Sequence, residues 1–242
     1  MKKVLIIGGS SGIGLSIVEE FMHNSTCEKV YVVDRTPFPI NYDNSKIETY
    51  VFDLKSADYS IFAQFLDIDT LIITAGFGRL SLFKDISEQH IVDSFQVNTI
   101  AVIRIIKFFY NKLLSNKDFY CGVMGSIAGF MSSPFFAVYG ASKAALKIFI
   151  ESVNVELIKS GSNNRILNIS PGSIKGTSFY NGDTHLDELR PLSLEIIKRL
   201  QNKDDLYIPK YDEIYKVVLQ RYYDDFRKEG MHSYEYKENS NR

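Results

Sequence analysis

Three side chains able to move a proton or steady an oxyanion, Ser126, Tyr139 and Lys143, fall within one short stretch. Tyr139 and Lys143 are four apart in a run whose Ala141, Ala144, Ala145 and Leu146 favour helix, so the phenol and the ammonium are expected on one helix face. A phenol titrates near pH ~10, and a cation beside it favours the phenolate. The pair is therefore expected to bring the Tyr139 proton towards use near neutral pH. Ser126 follows the apolar run 119–124, which reads as a buried strand, and a hydroxyl at a strand's carboxyl end points into the ligand crevice of an α/β sheet. A Tyr-x-x-x-Lys pair alone is more often surface decoration than chemistry. Its weight comes from the elements around it.

The first of these is the amino terminus. Residues 4–7 form a continuous apolar strand that runs into Gly8-Gly9-Ser10-Ser11-Gly12-Ile13-Gly14 and then a helix over 13–22. Strand, glycine turn and helix in that order build a pyrophosphate site. Gly8 permits the tight turn, Gly12 lets backbone approach the ligand, Gly14 lets helix and strand pack closely, and the helix N-terminus offers free amides from the Ser10, Ser11 and Ile13 region. A second strand over 29–33 ends at Asp34, twenty residues after Gly14, where an acid can accept hydrogen bonds from both hydroxyls of an adenosine ribose. A carboxylate there repels a 2′-phosphate and points to NAD over NADP; Arg35 beside it could pair with that phosphate, so NADP stays open.

Further along, a third strand over 47–52 ends in Asp53-Leu54, residues able to flank an adenine ring. A short helical piece covers 60–66 and a fourth strand 71–74. Ala75-Gly76 then lets a flat ligand lie close to backbone. A long helix is expected from about Asp85 to Leu114 with Asn98 in its middle, an odd place for a side chain that competes with the backbone. The helix bearing Lys143 continues to a stop at Gly161 and is apolar nearly all round. It and the stretch 103–109 are expected to show more apolar face than one sheet covers, hence a homodimer or homotetramer. A sixth strand over 165–169 opens into Ser170-Pro171-Gly172-Ser173-Ile174 at the crevice side. After it come a loop over 179–185, a helix over 192–201, a brief extended piece over 207–209, a tyrosine-rich helix over 213–226 and a frayed polar end over 237–242.

Composition fits this α/β reading. The 242 residues suit one domain with a full core, and 45% hydrophobic with 24% charged content is ordinary for a globular chain. With 28 basic and 29 acidic side chains the net charge is −1, which gives no footing for nucleic acid. Cys27 and Cys121 make neither a disulfide framework nor a metal site. No apolar run approaches the ~18 residues of a membrane span, and the apolar stretch at the amino terminus is too short for a signal peptide, so the expectation is a cytoplasmic protein.

Together these motifs resemble the compact, single-domain branch of the short-chain dehydrogenase/reductase family over roughly residues 1–177. Gly8, Gly12 and Gly14 match its glycine pattern, Asp34 and Asp53 its adenosine contacts, Asn98, Ser126, Tyr139 and Lys143 its catalytic tetrad, and Pro171-Gly172 its nicotinamide-side loop. The resemblance implies a doubly wound parallel sheet, a Rossmann fold. It also implies a nicotinamide cofactor and hydride transfer between that cofactor and a small carbonyl/alcohol substrate, with no metal. It gives Asn98 the task of holding a water that relays protons to Lys143, lets Lys143 hold the nicotinamide ribose, and gives Thr177 a contact to the carboxamide, Gly176 standing where the family often has that threonine. The chain departs from the pattern at Ile7, where the family usually has Thr, and at Ile73-Thr74, where it has Asn-Asn. In place of a glycine-rich seventh strand it has a variant C-terminal helical segment, so that about 178–242 is read as substrate loop and variable helices within a single domain 1–242.

Two other readings share parts of the pattern. A sugar-nucleotide epimerase or dehydratase has the Tyr-x-x-x-Lys pair but needs a larger substrate domain and a glycine at Ser11. A nonenzymatic dinucleotide sensor or scaffold could keep the fold without turnover; the intact tetrad argues against it. A Rossmann-like methyltransferase leaves Tyr139 and Lys143 without a purpose. Phe130, Phe135, Phe136, Phe179 and Tyr180 suit an apolar or ring-bearing ligand, although core packing is the more common use for at least half of them.

Overall fold

The structure, a computed structural model, describes residues 1–39, 45–175, 177 and 184–239. Seven parallel strands form one sheet in the order β3-β2-β1-β4-β5-β6-β7. They are β1 (Lys3–Ile7), β2 (Lys29–Asp34), β3 (Ile47–Val51), β4 (Thr70–Ile73), β5 (Tyr120–Met124), β6 (Ile166–Ile169) and β7 (Leu206–Tyr207). The chain winds outward from β1 to β3, then crosses back to place β4 on the other side of β1. That reversal opens a crevice at the strands' carboxyl ends, beyond Ile7 and Ile73.

Both faces of the sheet are covered, which is why its central strands read as unbroken apolar runs and every residue of β4 and β6 is buried. Alternate residues of β1 serve opposite cores. Val4 and Ile6 pack with Ile17 and Phe21 of α1 (Gly12–His23) and with Ile196 and Leu200 of α5 (Leu186–Asn202). Leu5 and Ile7 pack on the other side with Ile105 and Phe109 of α3 (Ala101–Leu114) and with Leu146 and Ile150 of α4 (Ala137–Lys159). Each such side chain taken from water contributes roughly 1.5–3 kcal/mol before chain entropy is counted. The surplus apolar face of α4 remains on the outside: Ile148, Val155 and Ile158 are more than half exposed, and Phe108 of α3 is exposed too.

Three stretches differ from the sequence expectation. The long helix around Asn98 begins at Glu88, with the Ser87 hydroxyl accepting from His90 N at 3.2 Å, and it is not uniform. A π turn at Gln96–Ile100 separates α2 (Glu88–Phe95) from α3. A π turn admits one extra residue per turn and breaks the regular carbonyl ladder, which is what the helix-poor Asn98 permits. The extended piece at 207 joins the sheet as the short seventh strand, Ile169 pairing with Tyr207, so the variant C-terminal segment does not replace a seventh strand but follows one. The tyrosine-rich helix breaks in two. A π turn at Tyr211–Tyr215 leads into α6 (Lys216–Asp224), and the Asp225 carboxylate then accepts from the amides of Arg227 and Lys228 to start α7 (Phe226–Asn239). Residues 237–239, expected to fray, belong to that helix. Of the expected loop 179–185, residues 179–183 lie outside the described residues, as do Gly176 and 240–242.

Candidate active site

At the amino-terminal end of the crevice the backbone is shaped by glycine. Gly8 has φ 91°, and a Cβ there would overlap the backbone nitrogen of Ala75; a Cβ at Gly14 would overlap the carbonyl oxygen of Gly8. Helix α1 can therefore start directly on the strand end. The Thr74 hydroxyl braces the turn, donating to the carbonyls of Ile7 (3.1 Å) and Gly8 (2.9 Å). Noted in the sequence only as a departure, Thr74 is thus a structural part of the site. Gly12 has φ 54°, and its amide donates to the Thr184 hydroxyl at 2.8 Å. Ser10 is not in the crevice wall. Its amide donates to Asp34 Oδ2 (3.0 Å) and its hydroxyl to the Thr36 carbonyl (3.0 Å), so it holds the loop. Asp34, whose Oδ1 accepts from Thr36 N at 3.1 Å, lines the crevice together with Arg35, Asp53 and Leu54.

The other end of the crevice is built on β5 and α4. Ser126 leaves β5 and caps a short 3-10 turn at Ile127–Gly129, its hydroxyl accepting from Ala128 N at 3.2 Å. That hydroxyl is also hydrogen-bonded to the phenol of Tyr139, which faces it from the first turn of α4. Lys143, one turn on, is only 2% exposed; its Nζ donates to the Met124 carbonyl at 2.7 Å and lies 5.8 Å from the centre of the Tyr139 ring. Asn98 is fully buried. Its Oδ1 accepts from Phe77 N (3.0 Å), and its Nδ2 donates to the Phe77 carbonyl (2.9 Å) and to Ser142 Oγ (3.1 Å). A Cβ on Gly76 would stand 3.2 Å from both Asn98 Oδ1 and Lys143 Nζ, which brings the two side chains to one spot behind the crevice wall.

The electrostatics correct one expectation. Burial pushes the Tyr139 phenol above its ordinary value, and the Ser126 hydrogen bond pulls the other way without overcoming it. The ammonium does not lower it here, since Lys143 is itself buried and held down to about 8 by desolvation, with its proton directed at Met124. The Tyr139 phenol is accordingly protonated at neutral pH. The Cys121 thiol, buried in β5, is pushed up to about 12 and is inert.

A continuous cavity of about 550 Å³ joins the two ends. Gly8, Ser11, Gly12, Ile13, Gly14, Ala75, Gly76, Ser126, Tyr139, Pro171, Gly172, Ile174 and Thr177 line it, whereas Asn98 and Lys143 stand just behind. Thr177 donates to the Ile174 carbonyl at 2.7 Å and packs towards Gly12. The positive-φ glycines and the backbone amides at the start of α1 fit a pyrophosphate, and the acidic end at Asp34 fits a ribose, so the residues present suit a dinucleotide. The C-terminal segment contributes wall residues that sequence reading missed: Tyr215, Ser233, Tyr236 and Lys237. The Tyr215 hydroxyl sits where a Cβ on Gly172 would be. Polar composition makes the end over 237–242 read as frayed; the spacing of Ser233 and Lys237, four apart, is the available signal.

Among the described residues no helix is long and apolar enough to cross a membrane, and no group of three or more His, Cys, Asp or Glu is arranged to hold a metal ion.

Comparison with known proteins gives a consistent account. The family model for short chain dehydrogenase matches residues 2–185. An uncharacterized oxidoreductase of Saccharomyces cerevisiae is 27% identical over 221 residues, covering 82% of this chain and 70% of that protein. Of several other relatives the chain spans 56 to 61%. A short chain dehydrogenase/reductase from Burkholderia phymatum, solved with NAD, has a TM-score of 0.78 at 16% identity over 93% of this chain and 94% of that one. A short chain dehydrogenase from Burkholderia cenocepacia, solved with NADP, has a TM-score of 0.74 at 18% identity over 91% and 98%. At such identities the structures establish the fold.

Proposed function

The chain belongs to the short-chain dehydrogenase/reductase family, and from that premise we propose that this oxidoreductase interconverts a small carbonyl compound and its alcohol, with Tyr139 as acid/base and NAD as the preferred dinucleotide. The observation that carries the reading is the Ser126–Tyr139 hydrogen bond at the mouth of the same cavity that the glycine turn opens. Gly8, Gly12, Ile13 and Gly14 would hold the pyrophosphate, Asp34 the adenosine ribose, Asp53 and Leu54 the adenine, and Pro171, Gly172, Ile174 and Thr177 the nicotinamide side. When bound, the dinucleotide supplies or accepts the hydride.

The chain's own residues handle the oxygen and its proton. As the carbonyl becomes an alkoxide, Ser126 Oγ steadies the oxygen and Tyr139 gives it a proton, an arrangement of donors aimed at developing charge. The raised phenol pKa favours this donating direction at neutral pH. Lys143 supports the phenol from behind and carries its own proton on a group held near 8, ready to replace the one lost. Asn98 keeps the π turn closed against Phe77 and Ser142 and so keeps polar groups beside Lys143.

NAD is preferred because Asp34 Oδ1 and Oδ2 stand at the end of β2 where a 2′-phosphate would bring like charge; Arg35 in the same wall is the feature that favours NADP instead. We read the chain as one domain working in the cytoplasm, assembled as a homodimer or homotetramer through the exposed apolar side of α4. The deciding experiment is a carbonyl and alcohol panel run on purified protein with each of the two dinucleotides. Absence of any dinucleotide-dependent turnover would count for a nonenzymatic sensor.

A further inference from the structure

The glycine at position 172 is not explained by its own backbone. Gly172 has no positive φ, so its conformation does not call for glycine; what the missing side chain provides is room. The hydroxyl of Tyr215 fills that room, standing where a Cβ would be. A phenol from the C-terminal segment is thereby laid against the loop that follows β6. That loop is itself tied to the Ser126 turn, because Ile127 N donates to the Pro171 carbonyl at 3.0 Å.

The backbone before Tyr215 aims it inward. Lys210 has φ 58°, and its carbonyl accepts from both Ile214 N (3.0 Å) and Tyr215 N (3.4 Å), the wider turn of the π segment at Tyr211–Tyr215. The extra residue in that turn leaves Tyr211 and Ile214 exposed while the ring of Tyr215 packs on the apolar cluster of Ile127, Ile208 and Leu219. The ring is held and its hydroxyl ends in the cavity wall. Among the described residues that hydroxyl makes no hydrogen bond, and it is not sealed in, since no side-chain polar atom shut away from solvent lacks a partner. Burial raises the Tyr215 phenol above its ordinary value, so at neutral pH it keeps its proton and donates. In the free protein water takes that bond; a ligand that displaces the water loses affinity unless it brings an acceptor.

We propose that Tyr215 is a specificity-determining substrate contact, its hydroxyl donating to a second, uncharged oxygen that the carbonyl substrate carries away from the reacting carbon. The inference rests on the carbonyl/alcohol reading of the same cavity and adds the substrate's second functional group. Ile127, Ala128 and Met131, the wall beside Tyr215 that leads back to Ser126, are apolar, so the body joining the two oxygens is hydrocarbon.

The test measures binding apart from turnover. 2-Octanone and the octanediones with carbonyls at carbons 2 and 5, 2 and 6, or 2 and 7 are titrated calorimetrically into the wild type and Tyr215→Phe, with and without oxidised dinucleotide. The second carbonyl of a dione only accepts, so it reports donation by the phenol. Phenylalanine keeps the ring against Ile127 and Leu219, and melting temperatures of the two proteins confirm that both are folded. Expected is a wild-type preference for at least one dione over 2-octanone of about 5- to 20-fold, nearly all of it lost in Tyr215→Phe. Diones that bind the wild type no more tightly than 2-octanone, or a preference that survives in Tyr215→Phe, overturn the proposal. A tyrosine that only packs against Gly172 gives the second of these results. Failure of both dinucleotides to bind sinks the oxidoreductase reading instead, while the dione preference measured without dinucleotide still decides the role of Tyr215.

Discussion

Lys143 Nζ donates to the Met124 carbonyl oxygen at 2.7 Å, tying the middle of α4 to the carboxyl end of β5. That bond fixes where Tyr139 and Ser126 meet, since each lies a few residues from one of its ends. It also keeps an ammonium in a dry place, and the first prediction follows from that.

Lys143 has its pKa lowered from 10.5 to about 8 by desolvation, and Lys237 likewise. Between those values the unfolded chain binds more protons than the folded one, so stability of the dinucleotide-free protein rises with pH, starting near pH 8. From pH 7.5 to 9 the gain is about 1 kcal/mol for Lys143 alone. Above pH 9 the Cys121 thiol works the other way, because its folded value is raised and its protonated form is the one the fold holds. Urea midpoints at pH 7.5 and 9 should rise in the wild type and rise less in Lys143→Met; equal gains would remove the buried ammonium from the account.

Tyr139→Phe should abolish single-turnover hydride transfer while leaving dinucleotide affinity nearly intact, because the lost hydroxyl acts on the reacting oxygen. Ser126→Ala should slow the same step by about 10²–10³. With the phenol raised by burial, reduction should hold steady through neutral pH and alcohol oxidation should climb into the alkaline range. A Tyr139→Phe protein with near-normal transfer rates ends the acid/base assignment.

Asp34→Ala should narrow or reverse a preference for NADH over NADPH in fluorescence titrations. It should also loosen the glycine turn, since Asp34 Oδ2 accepts from Ser10 N. Tighter NADPH binding by the unaltered protein would mean that Arg35 sets the choice.

Gly14→Ala introduces a Cβ into the carbonyl oxygen of Gly8. The start of α1 must then move away from β1, at a cost of about 1–3 kcal/mol, and dinucleotide binding should weaken by more than stability does. Denaturation and titration of one preparation compare the two losses.

Ile148 and Val155 lie one heptad apart on α4 and are 58% and 66% exposed. If a second copy covers them, light scattering should report a dimer or larger assembly, and Ile148→Asp with Val155→Asp should reduce it to monomer. A wild-type monomer at micromolar concentration contradicts the assembly.

Much of the crevice was legible from local chemistry. A strand that must be buried on both faces is apolar throughout, a turn that must approach a ligand is glycine, and an acid twenty residues later falls at the next strand's end; each is a short-range constraint. Tyr139 and Lys143 share a helix face for the same reason. What proximity in sequence does not carry is the environment around a group. Whether the ammonium lowers the phenol's pKa depends on burial and on where its proton points, and the Met124 carbonyl, nineteen residues away in the chain, takes it. The π turn at Gln96–Ile100 likewise depends on Phe77 and Ser142 reaching Asn98 from other elements. The largest difference is the carboxyl end. A polar helix with tyrosines and lysines reads as solvated, because composition records transfer from water and not the hydrogen bonds a distant loop can offer. Only the packing of α7 on residues 132–136 brings Lys237 to Ser133, more than a hundred residues away in the chain, and makes a surface-type residue part of the cavity wall.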